Sequence, residues 1–503
     1  MQKPTCAALS VVLWLTVNCG PNLPPTTVPP PPAPEMAPFA AALKTYVDKT
    51  QPYRKQAAQT AERVPGKTNS GAELAVRTRQ TGLADALKND LRRDARQGEL
   101  FGTEPAQAVH RAVDEAFAGL HRDLLMDALA EQNESGKGEP KPIAINEFTD
   151  APRVPPLLLD SLPPLPKQLE YAFAGRTLML RDADAEVVVD YLPDVLPAAA
   201  SPGPRATPPQ PALGAAAPLP MPPLRGGLVF ALIGDAGSGD DPQQEVAKAM
   251  LNYFVNARRF KFVLLLGDNL YDDDYTGEFS TPYKPLLDRG VRFYAALGNH
   301  DRDLQIHFKP FNMNDRDYYS FDDGNARFVA LNSNHPADPA QIKWLDGVFV
   351  DAAAKWRICF FHHPLYSSGQ HAGESRNVIR PALEPALTRN RVHVVFNGHE
   401  HLYERIRPRQ TIQYFVSGGG GRYLYNVHPS DFDEVAVSEH HFMVAEIAGD
   451  RLFFEAITPQ QRVLDCGVVF RTTAAEQRVG NDVRSWMKAC NAAKAVPVRT
   501  TER

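Results

Sequence analysis

Residues Phe262 to Tyr271 read FVLLLGDNLY, four aliphatic side chains running into Gly267 and Asp268. A partly β-branched apolar run that stops at a glycine and a charged side chain reads as a buried parallel strand emptying into a loop. In open α/β sheets ligands bind at that carboxyl end. Asp268 is therefore expected at the mouth of a sheet, with the phenol of Tyr271 one loop turn away. Four more hydrophobic runs end in the same manner. LVFALI leads to Gly234-Asp235-Ala236-Gly237, and VRFYAAL leads to Gly298-Asn299-His300-Asp301. RICFF ends at His362-His363-Pro364, and VHVVF ends at Asn397-Gly398-His399-Glu400-His401. Between them, Asp241-Pro242 opens a helix with Val246, Met250 and Phe254 on one face, and a second helix is expected from Pro339 to Ala354. Strand, polar tip and helix in repetition predict a layered α/β domain with its site at one edge. The runs IQYFV, HFMVAEI, RLFFEAI and VLDCGVVF lie closer together and predict a second, antiparallel sheet packed on the first, with helices outside.

The full chain of 503 residues is too long for one ordinary domain. Its 54 basic against 59 acidic side chains give no bulk charge for binding nucleic acid. The 45 prolines are crowded into particular segments and mark linkers. Residues 1–19 carry Lys3 and the apolar run Ala7 to Val17, too short to span a membrane and the right length for the core of an export signal. Its end, Leu15-Thr16-Val17-Asn18-Cys19-Gly20, resembles a bacterial lipoprotein signal in which Cys19 takes the lipid. A plain secreted protein cut nearby and an uncleaved anchor remain open beside that reading. The expected location is outside the cytoplasm: an envelope lipoprotein, a periplasmic protein or a secreted one.

A Pro-rich spacer follows over 20–36, then a mainly helical region with a β-hairpin over 37–195. Val109, Val113, Phe117, Leu120 and Leu124 recur at helical spacing between Thr103 and Asn133, with Thr103 as N-cap, and a partner helix is expected over Ala72 to Arg96. The strand-like runs on either side of Arg181 to Ala185 predict a hairpin, which pairs either with the helical unit or with the domain that follows. This region shows no metal-ligand or nucleophile pattern. A Pro/Ala linker over 196–226 separates it from the α/β domain over 227–470, and 471–503 form a C-terminal tail, helical around Asn481 to Lys494. Cys359 reads as a buried small hydrophobe. Cys466 and Cys490 could pair in an oxidising compartment, which spacing alone leaves open.

The strand tips collect Asp235, Asp268, Tyr271, Asn299, His362, His399 and His401. Carboxylates, a phenol, an amide and imidazoles are hard and borderline ligands, suited to cations of the iron, zinc or manganese kind. Their motifs, GDAG, GDNLY, GNHD, HHP and GHEH, stand in the order and approximate spacing of the calcineurin-like metallophosphoesterases, and more narrowly resemble the purple acid phosphatases. The general family has Asp-x-His at the first motif, whereas Gly237 stands here in place of the histidine. The tyrosine three residues after the second aspartate, Tyr271, restores a ligand in the narrower family.

The resemblance implies a four-layer α/β/β/α sandwich over about residues 228–469. It implies a binuclear metal centre with Asp235, Tyr271 and His401 on a first ion, Fe(III), and Asn299, His362 and His399 on a second, Fe(II), Zn(II) or Mn(II). Asp268 would bridge the two. It further implies a small phosphate monoester as substrate, cleaved by in-line attack of a metal-bound hydroxide. His300 would hold the phosphate, His371 would protonate the leaving group, and Asp301 would orient His300. A phosphodiesterase or nucleotide hydrolase on the same metals is the rival within enzymes, because loops such as Asp272 to Tyr275 and Tyr366 to Glu374 set substrate choice. A rival of another class is an envelope binding module whose helical region is the working part and whose phosphatase domain is vestigial. His363 reads as a packing or supporting residue, Gly418 to Gly421 as close backbone approach beside the site, and Lys55 to Arg63 and Arg92 to Arg96 as solvated helix faces.

Overall fold

The computed structural model describes residues 34–65, 68–119, 122–133, 143–149, 151–159, 161–197, 227–350, 355–428, 430–477 and 479–494. The expected leader, most of the first linker, nearly all of the second and Leu120 lie outside them. No described helix is long and apolar enough to cross a membrane.

The N-terminal unit opens with the helices Ala37–Glu62, Asn69–Ala86, Thr103–Ala118 and Arg122–Asn133. The single helix expected from Thr103 to Asn133 is thus two, broken at Gly119, and Gly102 rather than Thr103 holds the N-cap position. Strands β1 (Leu169–Ala174), β2 (Thr177–Asp182) and β3 (Val187–Leu192) form an antiparallel meander, the expected hairpin being its second half. Phe39, Leu43, Val109 and Val113 from the helices share a core with Phe173, Leu180 and Val189 from the strands. Arg92, expected at a solvated face, is buried and donates to the Val189 carbonyl.

The larger part is a sandwich of two sheets. Along the chain come β4 (Leu228–Ile233), β5 (Phe262–Leu265), β6 (Arg292–Ala295), β7 (Tyr319–Asp323) and β8 (Ala326–Ala330). They are followed by β9 (Trp356–Phe360), β10 (Val394–Asn397), β11 (Tyr403–Arg409), β12 (Ile412–Ser417) and β13 (Asp433–Val437). Last come β14 (Phe442–Ala448), β15 (Arg451–Ile457) and β16 (Val463–Phe470). One sheet has the order β16-β15-β14-β4-β5-β6 and the other β13-β11-β12-β10-β9-β8-β7. This corrects the expected division into an early parallel sheet and a late antiparallel one. Each sheet instead has a parallel set, β4-β5-β6 along one side of the first and β8-β9-β10-β12 in the middle of the second, extended by antiparallel strands. Both sets have both faces covered, so their strands are largely apolar and look alike in sequence.

Phe230 and Phe262 of one sheet meet Phe328 and Phe396 of the other between the layers, with ring centroids 5.2 to 6.2 Å apart. Each phenyl so buried contributes about 2 kcal/mol. Cys466 and Cys490 form a disulfide that ties the helix Asn481–Ala493 to β16, and Val483 and Trp486 of that helix enter the sandwich core. The segment read as a tail therefore belongs to this domain.

The N-terminal unit is docked on the same domain. Ala72 and Val76 of the helix Asn69–Ala86 join the sandwich core. Arg77 pairs with the Asp273 carboxylate at 2.9 Å and donates to its carbonyl at 2.7 Å. Arg153 pairs with Asp303 at 2.6 Å. Asp273 lies two residues after Tyr271, and Asp303 three after His300, so the contact falls on two loops of the expected site.

Candidate metal centre

The parallel strands β4, β5 and β6 are neighbours, so Asp235, Asp268 and Asn299 emerge side by side at one sheet edge. Adjacent β9 and β10 deliver His362, His399 and His401 from the facing sheet. Asp235, Asp268 and His399 hold φ angles of 57°, 52° and 69°, a left-handed backbone that residues with a Cβ rarely adopt. Hydrogen bonds between loops maintain it: His399 N donates to Asp235 Oδ2 at 2.9 Å and His300 N to Asp268 Oδ1 at 3.0 Å. A Cβ on Gly237 would lie 2.1 Å from the Asn269 carbonyl oxygen. That close approach lets Tyr271 N bond to Gly237 O at 3.0 Å and brings the phenol inward. The missing histidine at 237 and the presence of Tyr271 are one structural fact.

All seven expected ligands converge, and all are buried. His362 Nε2 lies 2.8 Å from Asn299 Oδ1, 3.2 Å from His399 Nδ1 and 3.4 Å from Asp268 Oδ2. His401 Nε2 lies 3.2 Å from the Tyr271 hydroxyl and 3.5 Å from Asp235 Oδ1. The other nitrogen of each imidazole is taken by an oxygen. His362 Nδ1 meets Leu266 O at 3.0 Å, His401 Nδ1 meets Tyr423 O at 2.7 Å, and His399 Nε2 meets Glu374 Oε2 at 3.2 Å. A carbonyl or carboxylate oxygen accepts, so the outer nitrogens carry the protons and the inner ones aim lone pairs at one another and at carboxylates. Lone pairs facing across 3.2 Å repel unless a cation lies among them. The donor set therefore fits metal ions, Asp235, Asp268 and His401 forming one group and the imidazoles of His362, His363 and His399 another.

The electrostatics agree. Burial and then the charges of Asp268 and Asp235 push the Tyr271 phenol well above its ordinary value. Burial alone would lower His362, but the same two carboxylates push it up to about 9, so the protein groups by themselves hold a proton where a cation belongs. Burial opposes the charge of Asp268, yet His362 and His300 hold its carboxyl far below the usual range.

Residues 228–403 match the calcineurin-like phosphoesterase family. The chain carries a calcineurin-like phosphoesterase domain. Among its curated relatives, purple acid phosphatase 22 of Arabidopsis thaliana is 28% identical over 235 residues, covering 40% of this chain and 52% of that protein. The Fe(3+)-Zn(2+) purple acid phosphatase 12 of the same plant is 28% identical over 219 residues, covering 38% and 46%. The chain spans about half the length of the curated relatives it matches. Among solved structures, a purple acid phosphatase from yellow lupin (Lupinus luteus) seeds aligns with a TM-score of 0.43 at 17% identity, covering 55% of this chain and 57% of that one.

Around the ligands, the phosphoesterase domain places the other expected residues unequally. His300 is half-buried, its ring centroid 4.8 Å from that of Tyr271. His371 packs on His399 with centroids 4.4 Å apart, and its Nδ1 lies 3.6 Å from Glu400 Oε2. Asp301 does not orient His300, and that expectation is corrected. Its carboxylate accepts from the backbone N–H groups of Asn269, Leu270 and Gly298 and from the Asn269 amide, all at 2.7 to 3.1 Å. It thereby fastens the loop of Asp268 to the loop of Asn299. The Nδ1 of His363 is 2.8 Å from Ser333 Oγ. Its ring lies as near to His362 and His399 as a ligand would, and its buried Nε2 has no hydrogen-bond partner among the described residues, so the contact with Ser333 does not separate a supporting role from a ligand's. The sequence reading missed Glu374, which fixes His399, and Tyr425, whose ring stacks on His401 at 4.1 Å. Neither carries a local signal.

Proposed function

We propose that the protein is an exported phosphatase that hydrolyses phosphate monoesters at a binuclear metal centre. Asp235, Tyr271 and His401 would hold a first ion, Asn299, His362 and His399 a second, and Asp268 would serve both. The observation that carries this reading is the convergence of three tautomerically fixed imidazoles with two carboxylates and a buried phenol. Tyr271 favours a trivalent first ion, because a phenol pushed so far up by burial and two carboxylates ionises only against a strong positive charge. Fe(III) with Fe(II), Zn(II) or Mn(II) meets that need, and the Fe(3+)-Zn(2+) purple acid phosphatase 12 among the relatives points the same way.

When bound, such a pair supplies Lewis acidity for phosphoryl oxygens and a water acidic enough to ionise below neutral pH. The side chains do the rest. His300 at the mouth donates to a phosphoryl oxygen. His371 stands outside the ligand set, its Nδ1 3.6 Å from the Glu400 carboxylate, and hands a proton to the leaving oxygen. Glu374 keeps the His399 lone pair turned inward. Export is supported by the leader pattern of 1–19 and by the Cys466–Cys490 disulfide, which suits an oxidising compartment; Cys19 is the residue a lipid anchor would use.

Turnover of an aryl phosphate against a bis-aryl phosphate, with metal analysis and a visible spectrum of protein purified without chelator, tests the proposal. Faster cleavage of the monoester and an iron-dependent visible band are expected. A faster diester would make it a phosphodiesterase, a colourless enzyme active with zinc or manganese alone would remove Fe(III), and a metal-free inactive protein would leave the N-terminal unit as the working part. His371→Ala should slow esters with poor leaving groups about 10²-fold and activated aryl esters little. Equal loss on both would remove His371 as the acid.

A further inference from the structure

The glycines 418–421 end at Arg422, a residue outside the ligand set. A Cβ on Gly418 would lie 2.2 Å from the Glu400 carbonyl oxygen and 2.6 Å from Asp235 Oδ2, and one on Gly420 would lie 2.3 Å from the Gly234 carbonyl oxygen. Glycine is what allows the chain to pass this close to the first metal loop. Arg422 N then donates to Asp235 O at 3.1 Å, which fixes the residue beside the centre. Its guanidinium carbon lies 4.6 Å from the ring centroid of Tyr271 and 5.2 Å from that of Tyr423. The side chain is half-buried, as is His300, and both lie against Tyr271.

Aromatic faces orient a guanidinium but leave its in-plane N–H donors unspent. Among the described residues no carboxylate forms an ion pair or hydrogen bond with Arg422. This contrasts with Arg405, held between Asp465 and Glu434, and Arg462, on Glu439. A planar cation with a fixed stem, open donors and a place at the rim of the site matches the geometry of a phosphoryl group, which guanidinium binds through paired N–H bonds.

We propose that Arg422 is a substrate-binding residue that takes phosphoryl oxygens of the ester at the mouth of the site. The inference rests on the phosphatase reading and names a contact that reading does not need. The rival is that Arg422 acts only through the Tyr271 ring it covers. Inorganic phosphate is the probe: its binding to the metal-loaded full chain is measured by calorimetry and as a competitive inhibitor, for wild type, Arg422→Met and Arg422→Lys. The expected result is a phosphate Kd and Ki raised at least about 10-fold in Arg422→Met, with kcat/KM for an aryl phosphate down about 30-fold or more. Metal content and the visible band without phosphate should stay as in wild type. Lysine, a point charge without the planar fork, should restore part of the affinity. Unchanged phosphate affinity, or a displaced visible band in phosphate-free Arg422→Met, would overturn the proposal in favour of action through Tyr271. A wild type that neither binds phosphate nor cleaves the ester would instead sink the phosphatase reading, a failure told apart because it needs no substitution.

Discussion

In the N-terminal unit Glu170 lies between Arg153 and Arg181, its oxygens 2.6 and 2.7 Å from their nitrogens, and Asp182 is held by Arg54 and by the Tyr46 hydroxyl. In the phosphoesterase domain Asp268 is as deeply buried, yet no lysine or arginine pairs with it among the described residues; it faces His362 and the backbone of His300. Both regions bury acids. Burial disfavours the charge of Glu170, but the two guanidinium groups hold its carboxyl well below the usual range, and the protein supplies the whole counter-charge. Around Asp268 the neighbours are imidazoles, a phenol and a second carboxylate, so the chief counter-charge beside it among these is a proton on His362, which a metal ion can replace. A buried acid with its own arginine is structural, whereas one facing other metal donors waits for a cation.

The contrast can be broken most directly at its two acids. Asp268→Asn should lower kcat by roughly 10³-fold and empty the site by metal analysis. Added metal should stabilise wild type against urea unfolding and leave the variant unchanged, while the metal-free variant loses the attraction between the Asp268 carboxylate and protonated His362. Equal metal stabilisation of wild type and variant would make Asp268 a structural residue like Glu170. Arg153→Met should act in the opposite sense, costing about 3 kcal/mol in urea unfolding by leaving Asp303 without its guanidinium and Glu170 with one fewer. Unchanged stability would show that the N-terminal pairs are not what keeps those acids buried.

A third test uses an acid with neither kind of partner. Glu455 receives a hydrogen bond from Tyr253 at 3.0 Å, and burial pushes its carboxyl up to about 8. The folded chain then keeps a proton that the unfolded chain releases, so this group's contribution to stability falls as pH rises from about 4.5 to about 8. Glu455→Gln should be near neutral at pH 5 and more stable than wild type at pH 8 by about 1 to 3 kcal/mol, read from urea midpoints. A difference independent of pH would refute the assignment. The smallest effect is expected at Arg77, which joins the two regions through Asp273 and is itself partly exposed. Arg77→Met should cost about 0.5 kcal/mol and lower kcat/KM about threefold by loosening the loop after Tyr271. Full activity after deletion of residues 1–226 would show that this contact does not matter to the site.

What the amino-acid sequence by itself determined were the properties that live within a few residues: apolar runs closing on Gly-Asp, Gly-Asn-His-Asp and Gly-His-Glu-His, donor types at their tips, and the replacement of a histidine by Gly237 with a tyrosine nearby. Strand character and donor chemistry are local, so the seven candidate ligands could be named before any coordinates. The tertiary structure alone decided which strands share a sheet, because two covered sets of parallel strands have much the same apolar pattern. It also decided that Asp301 fastens loops instead of turning His300, that Glu374 fixes His399, that Arg422 sits on Tyr271, and that the N-terminal unit grips the site through Arg77 and Arg153. Each is a contact between segments separated in sequence or a choice among hydrogen-bond partners, and neither distance nor partner is written in residue type.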